Sequence, residues 1–177
     1  MTGTPVRAPF AIGAPPAGRA MTTVDECIVH APLASVFRVV ADVEGWPTHL
    51  RHYRWVTMRE RAADGGGVVE MAAFRPFGPV GWPTWWLSVM AVDPVRHTVR
   101  FRHIGGVTTG MDVEWSLHPH AQGTHARLVH VWDGPPWPLI GALAAVTVIG
   151  PLFIHGIASR TMAGLARAAE REPPRAA

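Results

Sequence analysis

Lysine is absent from the 177 residues: all 16 basic residues are Arg, set among 13 carboxylates, and the formal net charge is only +3. The arginines are interspersed with acids and form no basic stripe, which argues against a nucleic-acid binder. Charged residues are scarce at 16%, while 48% are hydrophobic and mean hydropathy is +0.13. That balance excludes wholesale disorder and implies apolar surface turned toward a membrane or a ligand. Cysteine occurs once, at Cys27, so no intramolecular disulfide can form. A disulfide-stapled secreted scaffold is thereby excluded, and the cytoplasm is the expected compartment. Phosphate-cradling and nucleophile patterns are missing as well. Gly65 to Gly67 and Gly105–Gly106 lack a GxGxxG or P-loop context, and Ser35, Ser88, Ser116 and Ser159 stand in no nucleophile elbow, which disfavours a hydrolase.

What is present fits one domain with a sizeable core. The first twenty residues hold four Pro and three Gly and no long apolar run, so residues 1–20 read as a flexible arm rather than a secretory signal. Alternation and β-branched residues predict a first strand over Thr22 to Val29. Pro32 can open a helix carrying Val36, Phe37, Val39 and Val40, and a second short helix or turn fits around Trp46 and Pro47. Helical periodicity then gives way to short alternating runs: Tyr53 to Arg61, Val68 to Phe74, Thr84 to Val92, His97 to Ile104, Met111 to His118 and Thr124 to Trp132. Turn signals separate them, including a Pro- and Gly-rich insertion over Arg75 to Pro83. Met111, Val113, Trp115 and Leu117 alternate with Asp112, Glu114, Ser116 and His118, which marks a sheet with one buried face. The stretch from Leu139 toward Glu170 predicts a long C-terminal helix, kinked near Gly150 and Pro151, and EPPRAA at 172–177 reads as a frayed tail.

Three segments carry a family resemblance: VDECIVHAPLASVFRVVADVEGWP from Val24 to Pro47, GMDVEWSLHP from Gly110 to Pro119, and RLVHVW from Arg127 to Trp132. With them the chain resembles the START-like (SRPBCC) superfamily in its bacterial polyketide cyclase/dehydrase branch, over roughly Met21 to Glu170. The resemblance implies an α+β helix-grip fold over 21–171: a curved antiparallel sheet of 6–7 strands wrapped around a long C-terminal helix, with two short helices after the first strand. It also implies a hydrophobic small-molecule ligand such as a lipid, isoprenoid, pigment or polyketide-like compound. It does not imply a particular reaction.

A ligand cavity of this kind needs a few polar groups in apolar surroundings. The expected ligand-binding residues are Tyr53, Arg75, Trp86, Phe101, His103, Trp115, His130, Trp132 and Phe153, with Tyr53 and His130 the candidates for acid/base work in a cyclase. Arg100 is weighed as a further polar candidate but shares a strand face with Arg102 that suits solvent. Each also has a purely structural reading: a half-buried tyrosine at a strand edge, a hydrogen-bonded core histidine. Ten histidines raise a metal site, yet His118, His120 and His125, or His49 and His52, lack the ligands to close one; no metal or cofactor is expected. Trp82, Trp85 and Trp137, with Arg160, suit contact with a membrane or a protein partner. The charge-free stretch Pro138 to Ser159 can be a buried helix, an interfacial one or a span. Three functions remain open: a hydrophobic-ligand carrier, a non-catalytic accessory subunit docked on a membrane complex, possible peripheral attachment at the cytoplasmic membrane face included, and a polyketide cyclase or aromatase.

Overall fold

A computed structural model describes residues 12–77, 80–135 and 154–171. Seven strands form one antiparallel sheet in the order β1-β7-β6-β5-β4-β3-β2: β1 (Met21–Val29), β2 (Tyr53–Arg61), β3 (Gly67–Phe77), β4 (Val80–Asp93), β5 (Thr98–Gly106), β6 (Asp112–His120) and β7 (Gly123–Trp132). The first two strands in the chain are thus the two edges. The connection between them carries α1 (Leu33–Ala41), a 3-10 turn (Val43–Gly45) and α2 (Trp46–His49).

Local chemistry accounts for these short helices. Ser35, Val36, Val39 and Val40 of α1 are buried at i, i+1, i+4 and i+5, one stripe of a helix. Asp42 ends α1 and accepts from the Gly45 N–H at 3.3 Å, which caps the 3-10 turn. Pro47 stands in the first turn of α2, where its missing N–H costs nothing.

The side chains alternate between faces as read from the strands, but the second face of β6 is not fully wet, since Asp112 and Ser116 are buried there. Val113, Trp115 and Leu117 of β6 face the core with Val99, Phe101 and His103 of β5, all buried. On the opposite face Arg100 pairs with Glu114 at 2.6 Å and Arg102 with Asp112 at 2.7 Å. Arg100 therefore does not enter the core. His97 precedes β5 rather than belonging to it, with φ at 52° and its ring edge-on to Phe37.

The Arg75 to Pro83 stretch is not a loop insertion. β3 and β4 continue through it as a hairpin, from Gly67↔Met90 out to Phe77↔Val80. Beyond Trp86 no β5 residue pairs with β4, and beyond Ala73 no β2 residue pairs with β3, so the hairpin tip projects past its neighbours. Pro76 and Pro83 are tolerated there because an N–H on an open edge needs no ladder partner.

The C-terminal helix α3 (His155–Arg171) packs against β1, α1 and α2. The expected segment from Leu139 to the helix start lies largely outside the described residues, as do Trp137 and Phe153. Four contacts seat α3. Ser159 Oγ donates to the buried Asp25 at 3.1 Å, Thr161 Oγ1 meets His52 Nε2 at 3.2 Å, and Glu170 accepts the His30 N–H at 3.0 Å. Leu50 fills the notch at Gly164, where a Cβ would come within 2.2 Å of Leu50 Cδ2.

Residues 12–20 run irregularly against the sheet. Ile12 is buried and its carbonyl accepts from Arg100, while Arg19 and the Ala20 N–H both bind Asp133. Those two donors hold the Asp133 carboxyl below the usual carboxylate range, the Ala20 N–H contributing most.

Candidate ligand cavity

Between the core face of the sheet and the first turns of α3 lies a partly open cavity of about 60 Å³. As it stands it holds several waters. That is well below the roughly 300 Å³ or more of pockets that enclose a drug-sized molecule.

Its walls are built from every layer of the fold. Trp46 from α2 forms the floor: it stands edge-on to Tyr53 at 5.5 Å and to Trp115 at 6.5 Å, and tilts against Phe101 at 6.1 Å. Its Nε1–H donates to the Val39 carbonyl at 3.2 Å, which fixes the ring. Tyr53 also meets Trp86 edge-on at 5.9 Å, and His103 stacks on Trp86 at 6.0 Å. Met71, Met111, Val113 and Leu128 add aliphatic wall, and Ile154, just before α3, forms the roof with Ile157 and Ala158 of α3.

Four lining residues are polar: Tyr53, His103, His130 and Thr161. His103 Nδ1 lies 2.6 Å from Thr108 Oγ1, and His130 Nδ1 lies 3.5 Å from Thr23 Oγ1. Each imidazole is thus oriented from outside the cavity. No Asp, Glu or Arg is among the described lining residues. The interior therefore suits an uncharged guest that offers apolar area and a few oxygen atoms, because an unpaired charge there would lose its hydration without compensation.

Of the nine residues expected to bind ligand, the cavity gathers six: Tyr53, Trp86, Phe101, His103, Trp115 and His130. Trp132 is not among the described lining residues; it is buried and donates Nε1–H to the Thr109 carbonyl at 2.9 Å. Arg75 and Trp82 pair with each other across the β3–β4 ribbon, and their side chains lie outside the described residues, as does all of Phe153. Trp46 and the roof residues were missed. Met111, Val113 and Leu128 share strand faces with Trp115 and His130, so the same alternation could have added them. Trp46 offers no periodic signal because α2 is a single turn.

Cys27 packs against the core near the C-terminal end of α3, away from the cavity, and its thiol is pushed up by burial and by the Glu170 carboxylate. It stays a protonated, inert thiol. Among the described residues no group of three His, Cys, Asp or Glu is placed to hold a metal ion, and no helix is long and apolar enough to cross a membrane.

A seven-stranded curved antiparallel sheet gripping a C-terminal helix over such a hollow is the helix-grip architecture of START-like proteins. The chain belongs to the family described as polyketide cyclase / dehydrase and lipid transport, whose model matches residues 29–147. Among solved structures it is similar to the Zhui aromatase/cyclase of a Streptomyces species, at 20% identity and TM-score 0.71, covering 85% of this chain and 94% of that one. A Thermus thermophilus protein matches with 19% identity and TM-score 0.71, covering 84% and 97%. A START superfamily protein of Mycobacterium smegmatis matches with 16% identity and TM-score 0.59, covering 85% and 93%. Likeness at these identities establishes the shared fold.

Proposed function

We propose that this protein binds an uncharged hydrophobic small molecule, of lipid, isoprenoid, pigment or polyketide type, in the cavity beneath α3. The observation that carries this reading is the lining itself: the five aromatic rings of Trp46, Tyr53, Trp86, Phe101 and Trp115, an aliphatic roof, and polar side chains at Tyr53, His103, His130 and Thr161. Apolar burial at about 25 cal/mol per Å² supplies the affinity. The polar atoms fix orientation, since a carbonyl or hydroxyl placed against them keeps its hydrogen bonds on leaving water. A guest of this type exceeds the hollow of about 60 Å³, so binding it requires the lining side chains or α3 to move apart. Organic extraction of the purified protein followed by mass spectrometry should release a stoichiometric neutral compound. Extracts identical to those of an unrelated protein purified in parallel would count against the reading.

A second reading is favoured by Tyr53 and two oriented histidines sharing one wall: cyclisation or dehydration of a polyketide-like guest, with the phenol as donor and an imidazole moving the proton. Under it, Tyr53→Phe and His130→Ala should each lower turnover of an added polyketide by about 10²-fold or more while the extracted ligand content is unchanged. Full turnover in both folded variants rejects these roles for Tyr53 and His130, and no turnover by the wild-type protein rejects catalysis and leaves binding intact.

A further inference from the structure

Six large apolar residues are well exposed among the described residues, and four of them, Phe74, Trp85, Ile104 and Val107, lie at one end of the sheet. Phe74 and Trp85 are diagonal neighbours on one face of the projecting β3–β4 ribbon, since Ala72 pairs with Trp85 and Phe74 lies two residues on. The Trp85 ring lies over Gly105, where a Cβ would approach Trp85 Cη2 to 3.5 Å, and Ile104 and Val107 flank that site in the chain. Gly106, at φ 89°, permits this crossing, because a Cβ there would stand 2.2 Å from the Trp85 carbonyl oxygen.

The cavity lies toward the same end but on the other face of the sheet, since its lining residues Trp86 and His103 alternate with the exposed Trp85 and Ile104. This end also carries positive charge. Arg54 lies 5.2 Å over the Phe74 ring. Arg51 follows Leu50, the residue seated at Gly164 of α3, and Arg160 precedes Thr161, the partner of His52. All three arginines are exposed, and none forms an ion pair with a carboxylate among the described residues. By contrast Arg19, Arg59, Arg61, Arg96, Arg100, Arg102 and Arg127 each have an acidic partner.

We propose that this end of the molecule docks onto an anionic lipid bilayer. Charge complementarity selects the sign of the surface: three exposed arginines without carboxylate partners gather here, and Glu70, which accepts from Trp85 Nε1–H, is paired with Arg59. Arg167 and Arg171, likewise exposed without an acid partner among the described residues, lie toward the C-terminal end of α3 and are not part of this surface. The apolar groups select lipid over a protein partner. They protrude from a ribbon and a turn rather than forming the flat, packed patch a protein interface requires, and aromatic rings on a projection seat at the headgroup level.

Co-sedimentation of the full chain with vesicles tests this. Vesicles of phosphatidylcholine containing about one third phosphatidylglycerol should bind the protein, and phosphatidylcholine alone should bind it far more weakly. Raising salt to about 0.5 M should release most of it. The exposed triple variant Arg51→Gln, Arg54→Gln, Arg160→Gln should bind the anionic vesicles about 100-fold more weakly, near fivefold per arginine. A second variant, Phe74→Ser with Trp85→Ser, should weaken binding at both salt levels. Near-ultraviolet circular dichroism identifies any variant that has lost its packing. Equal binding to both vesicle types, or retained affinity in the folded arginine variant, overturns the proposal. So does failure to sediment with either vesicle, which leaves the surface to an acidic protein or a second copy of the chain.

Discussion

Trp46→Ala should destabilise the fold by about 3–5 kcal/mol, a large part of the ~5–15 kcal/mol that holds a domain of this size together. Trp46 is only 3% exposed and its ring touches Tyr53, Phe101 and Trp115, which come from three different strands. Removing it opens a void that the surrounding sheet cannot collapse into, and it strips the Val39 carbonyl of its donor. A urea midpoint shifted by the equivalent of less than about 1 kcal/mol would mean that the aromatic floor is not packed as described. Trp46→Phe, which keeps ring area but loses the Nε1–H, should recover more than half of the loss.

The second large effect is on binding. Ala158→Phe places a ring from the α3 roof into the hollow that Trp86, Phe101 and Trp115 enclose from below. Accommodating both ring and guest costs at least the ~1–3 kcal/mol typical of overpacking. Bound ligand should therefore fall roughly ten- to hundredfold in affinity, while the empty variant remains folded because its ring replaces the guest. Ala163→Phe, on the exposed face of the same helix, is the control and should retain wild-type ligand content.

The sheet was legible because its chemistry repeats every two residues. Met111, Val113, Trp115 and Leu117 against Asp112, Glu114 and Ser116 can only be a strand with one dry face, and the arginines of β5 then find Glu114 and Asp112 on the other. The same rule placed Phe101, His103 and His130 on the cavity side. It failed at Arg75 to Pro83, where Pro and Gly read as breakers although the strands run on. Proline's prohibition comes from the ladder partner it cannot serve, and at this ribbon the partner strands have already ended. Trp46 was illegible for a different reason. One turn of helix has no period, and its position on the cavity floor depends on how the whole α1 to α2 crossover bridges the two sheet edges. His130 and Tyr53 were identifiable as polar groups among apolar neighbours, but no spacing in the sequence says that both reach the same hollow.

Clamps on α3 are likewise invisible in one dimension. Asp25 and Ser159 are separated by 134 residues, and Asp25 reads in sequence as an ordinary outward residue of an alternating strand. Its burial beneath α3 is a consequence of the helix crossing β1, which ties the roof of the cavity to the edge of the sheet.

The central claim, that the space under α3 holds a guest, is tested most directly by native mass spectrometry of the full chain and of Ala158→Phe, each purified without organic solvent. The wild-type protein should carry a discrete added mass that organic extraction removes, and Ala158→Phe should fly as the bare chain. A bare wild-type protein that also takes up nothing from a total lipid extract, or the same adduct on both proteins, would place any ligand elsewhere and contradict the account.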